Sequence, residues 1–158
     1  MKQLWEFGYA IRRLRERMKF GELSRAPIYF SRLEWRFEGA ECSWVARKPD
    51  PWDADLPDDI RAKHASLQAL KDAIVVRSIL FAALPDIHRA KLRTYRVSPG
   101  EPAELIVIGN VEREREAVPT VASVAMRAKL LGFHFSMDDG VLRALEGESH
   151  FLALASVE

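Results

Sequence analysis

One cysteine, Cys42, stands among 158 residues. A single thiol excludes any internal disulfide, and with it the cross-linked frameworks of small secreted domains. No window approaches the ~20 consecutive apolar residues that a membrane-spanning helix needs. The opening MKQLWEFGYAIRRLRER reaches Arg12 before any apolar run long enough for a signal peptide, so the cytoplasm is the expected compartment. Charge of one sign is missing too. The chain holds 24 Lys/Arg against 23 Asp/Glu, a net of +1. No overall field therefore recruits nucleic acid or an anionic membrane.

The signatures of chemistry are also absent. The histidines are His64, His88, His134 and His150, and no two lie within four residues of each other. That spacing leaves no HxH or HExxH ligand pair. No GxSxG elbow, GxGxxG turn or GxxxxGK[ST] loop occurs, so nothing marks a nucleophile or a phosphate cradle. The acidic connector KPDPWDADLPDD fails as a calcium loop. Counted from Asp53, the sixth position is Asp58 rather than glycine, and the twelfth is His64 rather than a bidentate carboxylate. No metal site, cofactor or catalytic residue is expected.

What is present is the pattern of a packed domain. Hydrophobic residues make up 48% and charged residues 30% of the chain, near globular averages. The length suits one domain over residues 1–158, with an amphipathic basic helix and connector over 1–27 and an α+β body over 28–158. Leu4, Phe7, Ile11, Leu14 and Met18 form one stripe of a helix over about 2–20. That stripe is expected to pack on the domain's own sheet. A membrane surface or a partner groove is the alternative.

The stretch RLEWRFEGAECSWVARK predicts a hairpin turning at Gly39-Ala40. That turn sets Trp35 opposite Trp44, Phe37 opposite Cys42 and Leu33 opposite Ala46, all on one face. Arg32, Glu34, Arg36, Ser43, Val45 and Arg47 then line the reverse face. The tryptophans could form a platform for a ligand or partner. As the anchor of a core they leave no large exposed apolar patch, and that reading is preferred.

A long helix is predicted from about Asp58 to Leu84, stopped by Pro85, with Ile60, Leu67, Ile74 and Phe81 each seven apart. Such a helix serves as the spine of a domain or as a subunit interface. Arg77 beside the apolar stripe must find a partner or reach water. Strands are expected over 88–97 and 103–113, joined by a turn at Pro99-Gly100. A helix is expected over 119–131, and Phe133-His134-Phe135 reads as a strand that could complete a right-handed crossover. Asp138-Asp139-Gly140 is read as opening a short helix to about Glu146. Residues 150–157 read as strand or helix.

The fold class expected is α+β, with a mostly antiparallel sheet of four to six strands built from two β-hairpins and helices mainly on one face. Three functions are compatible with the pattern. The first is a non-catalytic interaction or structural protein that self-associates through the long helix or an edge strand. The second is a small-molecule or anion-binding enzyme using Arg77 and a histidine. The third is a weak nucleic-acid binder through the basic 89–96 strand, with Arg89, Lys91, Arg93, Arg96 and Tyr95. A second copy or another protein is the expected partner, and nucleic acid is disfavoured.

Overall fold

The computed structural model describes residues 29–36, 39–48, 54–115 and 121–145. The expected helix over 2–20, residues 49–53 of the acidic connector and the segment 150–157 lie outside the described residues. The elements in chain order are β1 (Tyr29–Arg36), β2 (Gly39–Val45), α1 (Asp58–Ala83), β3 (Arg89–Arg96), β4 (Glu104–Glu112), α2 (Val124–Leu131), β5 (Phe133–His134), β6 (Ser136–Asp138) and β7 (Val141–Arg143). Strands β1 to β5 form one sheet in sequence order, and β6 pairs with β7 in a separate ribbon. Three of the four pairings in the large sheet are antiparallel, and β2–β3 is parallel. The class is α+β, as the pattern predicts.

The first hairpin forms, with a different register. Trp35 lies opposite Ala40, Leu33 opposite Cys42 and Phe30 opposite Trp44, with a bulge between Phe30 and Arg32. Arg36 opposite Gly39 places that glycine inside β2, not in the turn. Trp35 thus moves four positions along its partner, an even shift that keeps the same side chains on the same face. The large Trp35 ring meets a small neighbour, and Trp44 meets Phe30. Trp44 is fully buried, and Trp35 is half-buried against the core.

Parallel pairing of β2 with β3 requires a long crossover, and α1 supplies it. Asp58 and Asp59 sit in its first turn, where carboxylates favour the exposed N–H groups. Its inner side buries Ala69, Leu70, Ala73, Val76, Ile79, Leu80 and Phe81 against Cys42, Trp44, Leu92, Val107 and Val111 of the sheet. Pro85 follows the last turn, as expected.

Two expectations near the C-terminal side are corrected. The strand–helix–strand unit around α2 is not a parallel crossover, because β5 runs antiparallel to β4. Gly132 ends α2 at φ 105° and reverses the chain at once. A Cβ there would stand 2.5 Å from the Asn110 carbonyl oxygen, and one at Gly109 would strike the Phe133 ring at 2.5 Å. Both glycines let β5 lie close against β4. The helix expected from Asp138 is instead the β6–β7 hairpin. Asp139 and Gly140 have φ of 50° and 78°, the left-handed pair that a tight two-residue turn demands. The fully buried Leu142 docks this ribbon, its N–H donating to the Ser66 hydroxyl of α1 at 2.9 Å.

Candidate functional site

The 26 residues of α1 run about 39 Å by helical rise. The inner side is core. The outer side carries Ile60, Leu67 and Val75, which are 36%, 42% and 41% exposed. Spacings of seven and eight put these three aliphatic side chains on one line along the helix. His64, Lys71 and Ser78 interleave them on the same side.

Arg77, the predicted anion receptor, is turned inward. Its Nη2 donates to the Glu112 carbonyl at 2.8 Å and to that of Arg115 in the segment after β4. Its guanidinium carbon stands 5.3 Å from the centre of the Phe81 ring. Arg113 lies 5.0 Å from the same ring. Its Nε donates to the Ile87 carbonyl at 2.8 Å and its Nη2 to the Leu84 carbonyl at 2.7 Å. Two cations thus share one aromatic ring and cap backbone carbonyls, tying the C-terminal end of α1 to the end of β4. Backbone carbonyls thus supply the acceptors that Arg77 Nη2 meets among the described residues.

No histidine converges on that guanidinium through any contact among the described residues. His64 is thirteen positions earlier on the same helix, about 20 Å away along its axis. His134 is exposed on β5, opposite Ile108, and His88 is exposed just before β3.

Arg47 corrects the hairpin reading. It lies past the end of β2 and turns under α1, not onto the solvent face. Its Nε donates to Asp72 Oδ2 at 2.8 Å, its Nη2 bonds the other carboxylate oxygen, and both side chains are at most 3% exposed. Gln68 Nε2 donates to the same carboxylate at 2.7 Å. The signal in the sequence was Asp72, one position before Ala73 and four before Val76. A carboxylate on the buried stripe of a helix requires a cation.

The basic strand divides in the structure. Arg89 is exposed, and Lys91 is half-buried. Arg96 bonds Glu104 through Nη2 at 2.7 Å and donates through Nη1 to the Leu142 carbonyl at 2.8 Å. Arg93 is buried. The four cations therefore do not form one open positive stripe of the kind that tracks a nucleic-acid backbone.

Cys42 is fully buried in the core, and burial pushes its thiol from 9.0 up to about 12. A thiol that stays protonated is a small hydrophobe and not a nucleophile. Trp44 Nε1 and Thr94 Oγ1, register partners on β2 and β3, are buried with no hydrogen bond. No group of three His, Cys, Asp or Glu side chains among the described residues could hold a metal ion. No helix among them is long and apolar enough to cross a membrane. No family model matches the chain, and neither a curated protein nor a solved structure does.

Proposed function

We propose that this protein is a non-catalytic interaction protein of the cytoplasm that pairs with a second copy of itself through the outer face of α1. The observation that carries this reading is the exposed line of Ile60, Leu67 and Val75 on a helix whose other side is already core. Burying such a line between two helices removes apolar area from water at roughly 25 cal/mol per Å². His64, Lys71 and Ser78 fall between these aliphatics on the same face, so the proposed seam is of mixed polarity. The reading that used Arg77 and a histidine loses support, because that guanidinium is engaged with backbone carbonyls.

Light scattering over a range of concentrations tests the proposal. The wild-type chain is expected at twice its monomer mass, and Leu67→Glu at the monomer mass with unchanged helix content. A wild-type chain that stays monomeric at every concentration would overturn it.

A further inference from the structure

The sheet face turned away from α1 carries a guanidinium that meets no hydrogen-bond acceptor among the described residues. Arg93, in the middle of β3, has a side chain only 5% exposed. Its Nε is buried and makes no hydrogen bond. Its one ion-pair contact among the described residues is Glu41 Oε2, 3.8 Å from Nη1. That is beyond hydrogen-bond reach. Glu41 is also drawn the other way, its carboxylate 4.0 Å from Arg32 Nη2. Arg32 is already committed to Glu34 at 2.9 Å, and that hydrogen bond raises the pKa of its guanidinium above the ordinary value. Lys91 stands in register with Glu41 on the adjacent strand. Among the described residues, the centre of this face therefore sets three cations, Arg32, Lys91 and Arg93, against two carboxylates, Glu34 and Glu41.

A buried charge with vacant donors costs several kcal/mol unless an acceptor reaches it. An oxyanion answers both deficits. It presents two oxygens to the planar fork of the guanidinium and cancels the surplus positive charge. The flanking positions suit a small ligand. Ser43 lies beside Arg93 on β2 and offers a hydroxyl, and Ile108 lies beside it on β4 and offers an apolar wall. Strand neighbours in register stand about 4.8 Å apart, so both side chains rise from the sheet beside that of Arg93.

We infer that Arg93 is the centre of a binding site for the carboxylate or phosphate group of a small molecule, with Lys91 assisting and Glu41 competing for the same cations. The site is on the sheet face opposite α1 and does not rest on self-association through that helix.

Titration with inorganic phosphate and with benzoate, at constant ionic strength and with chloride as reference, tests this. The readouts are the melting temperature and the Arg93 Nε–H resonance. Wild-type protein is expected to show a saturable rise in melting temperature and a moving resonance with at least one probe. Response to phosphate alone assigns a phosphoryl ligand, and response to benzoate alone a carboxylate. Arg93→Met is expected to bind roughly tenfold or more weakly, the loss of a charged hydrogen-bonding partner, while keeping the oligomeric state of the wild type. Glu41→Gln removes the competing carboxylate and is expected to bind several-fold more tightly, and it decides the matter if Arg93→Met does not fold. No saturable response to either probe, an unchanged response in Arg93→Met, or unchanged or weaker binding in Glu41→Gln would overturn the assignment.

Discussion

Cys42 shows how a single side chain ties the sheet to pH. Its neighbours in register are Leu33 on β1 and Leu92 on β3, and no water reaches it. Ionising the thiol would place a charge in that core, so burial holds its pKa near 12 against an ordinary 9.0. The direction of the pH effect follows. Below pH 9 the thiol is protonated whether the chain is folded or not, and its contribution to stability is fully present. Between pH 9 and about 12 only the unfolded chain releases the proton, so that contribution is lost as pH rises. Chemical denaturation at several pH values, comparing wild type with Cys42→Ala, isolates this group from lysines and tyrosines that titrate in the same range. The wild type is expected to lose roughly 1 kcal/mol per pH unit more than the variant above pH 9. Parallel slopes would show that the thiol is not protected. The native thiol is also expected to resist a thiol reagent at pH 8 until denaturant is added.

Among the elements, α1 is fixed on the sheet by apolar packing along its length and by one polar clasp. Asp72 on its buried side takes two bonds from Arg47, just beyond β2, and one from Gln68. Removing one partner of a buried pair leaves an uncompensated charge, which costs about 3–5 kcal/mol. Asp72→Ala is therefore expected to lower the melting temperature by on the order of 10 °C for a chain of this size. Replacing both residues, as in Arg47→Met with Asp72→Leu, is expected to recover most of that loss, because the desolvation of both charges disappears together. A thermal-melt double-mutant cycle measures this, and a double variant no more stable than Asp72→Ala would refute the clasp. Neither half of the pair was legible as a pair: Asp72 is visible on an apolar stripe, but a contact spanning 25 residues has no local periodicity. The helix itself was legible almost to the residue, since Pro57, the two aspartates and Pro85 mark both ends. The first hairpin was legible in its faces and not in its register. Alternation specifies which side chains share a face, whereas the pairing depends on the sizes of Trp35, Ala40, Phe30 and Trp44 once packed. The Asp139-Gly140 turn was available in the sequence and was read as a helix start, because an aspartate before an apolar residue serves both roles. The anion site at Arg93 was half legible. The basic run was visible, but its one buried and acceptor-poor member is defined by the neighbouring strands.

At the scale of the whole molecule, the two proposed surfaces fall on opposite sides of the fold. One is on α1, whose outer line of aliphatics faces away from the core. The other is the sheet face that carries Arg32, Lys91 and Arg93. A closed dimer with two-fold symmetry makes each patch meet its own copy, so a residue on the axis meets itself. Antiparallel pairing of two α1 helices about Leu67 sets Leu67 against the partner subunit's Leu67 and brings Ile60 to the partner subunit's Val75. That arrangement covers all three exposed aliphatics of α1 at once and does not involve the sheet face of Arg93. A cysteine placed at the axis is expected to cross-link two chains under mild oxidation, since paired helices bring axial positions within disulfide reach. The buried native thiol does not compete. Leu67→Cys is therefore expected to give a covalent dimer on a non-reducing gel at micromolar protein. The control is Val97→Cys, at the end of β3 and 52% exposed, which is expected to remain monomeric on the gel. Equal cross-linking of the two variants would place the contact elsewhere than on α1. Faster cross-linking of Leu67→Cys, abolished by adding Ile60→Glu, locates the axis at Leu67 and makes the long helix both the spine of the monomer and the seam of the dimer.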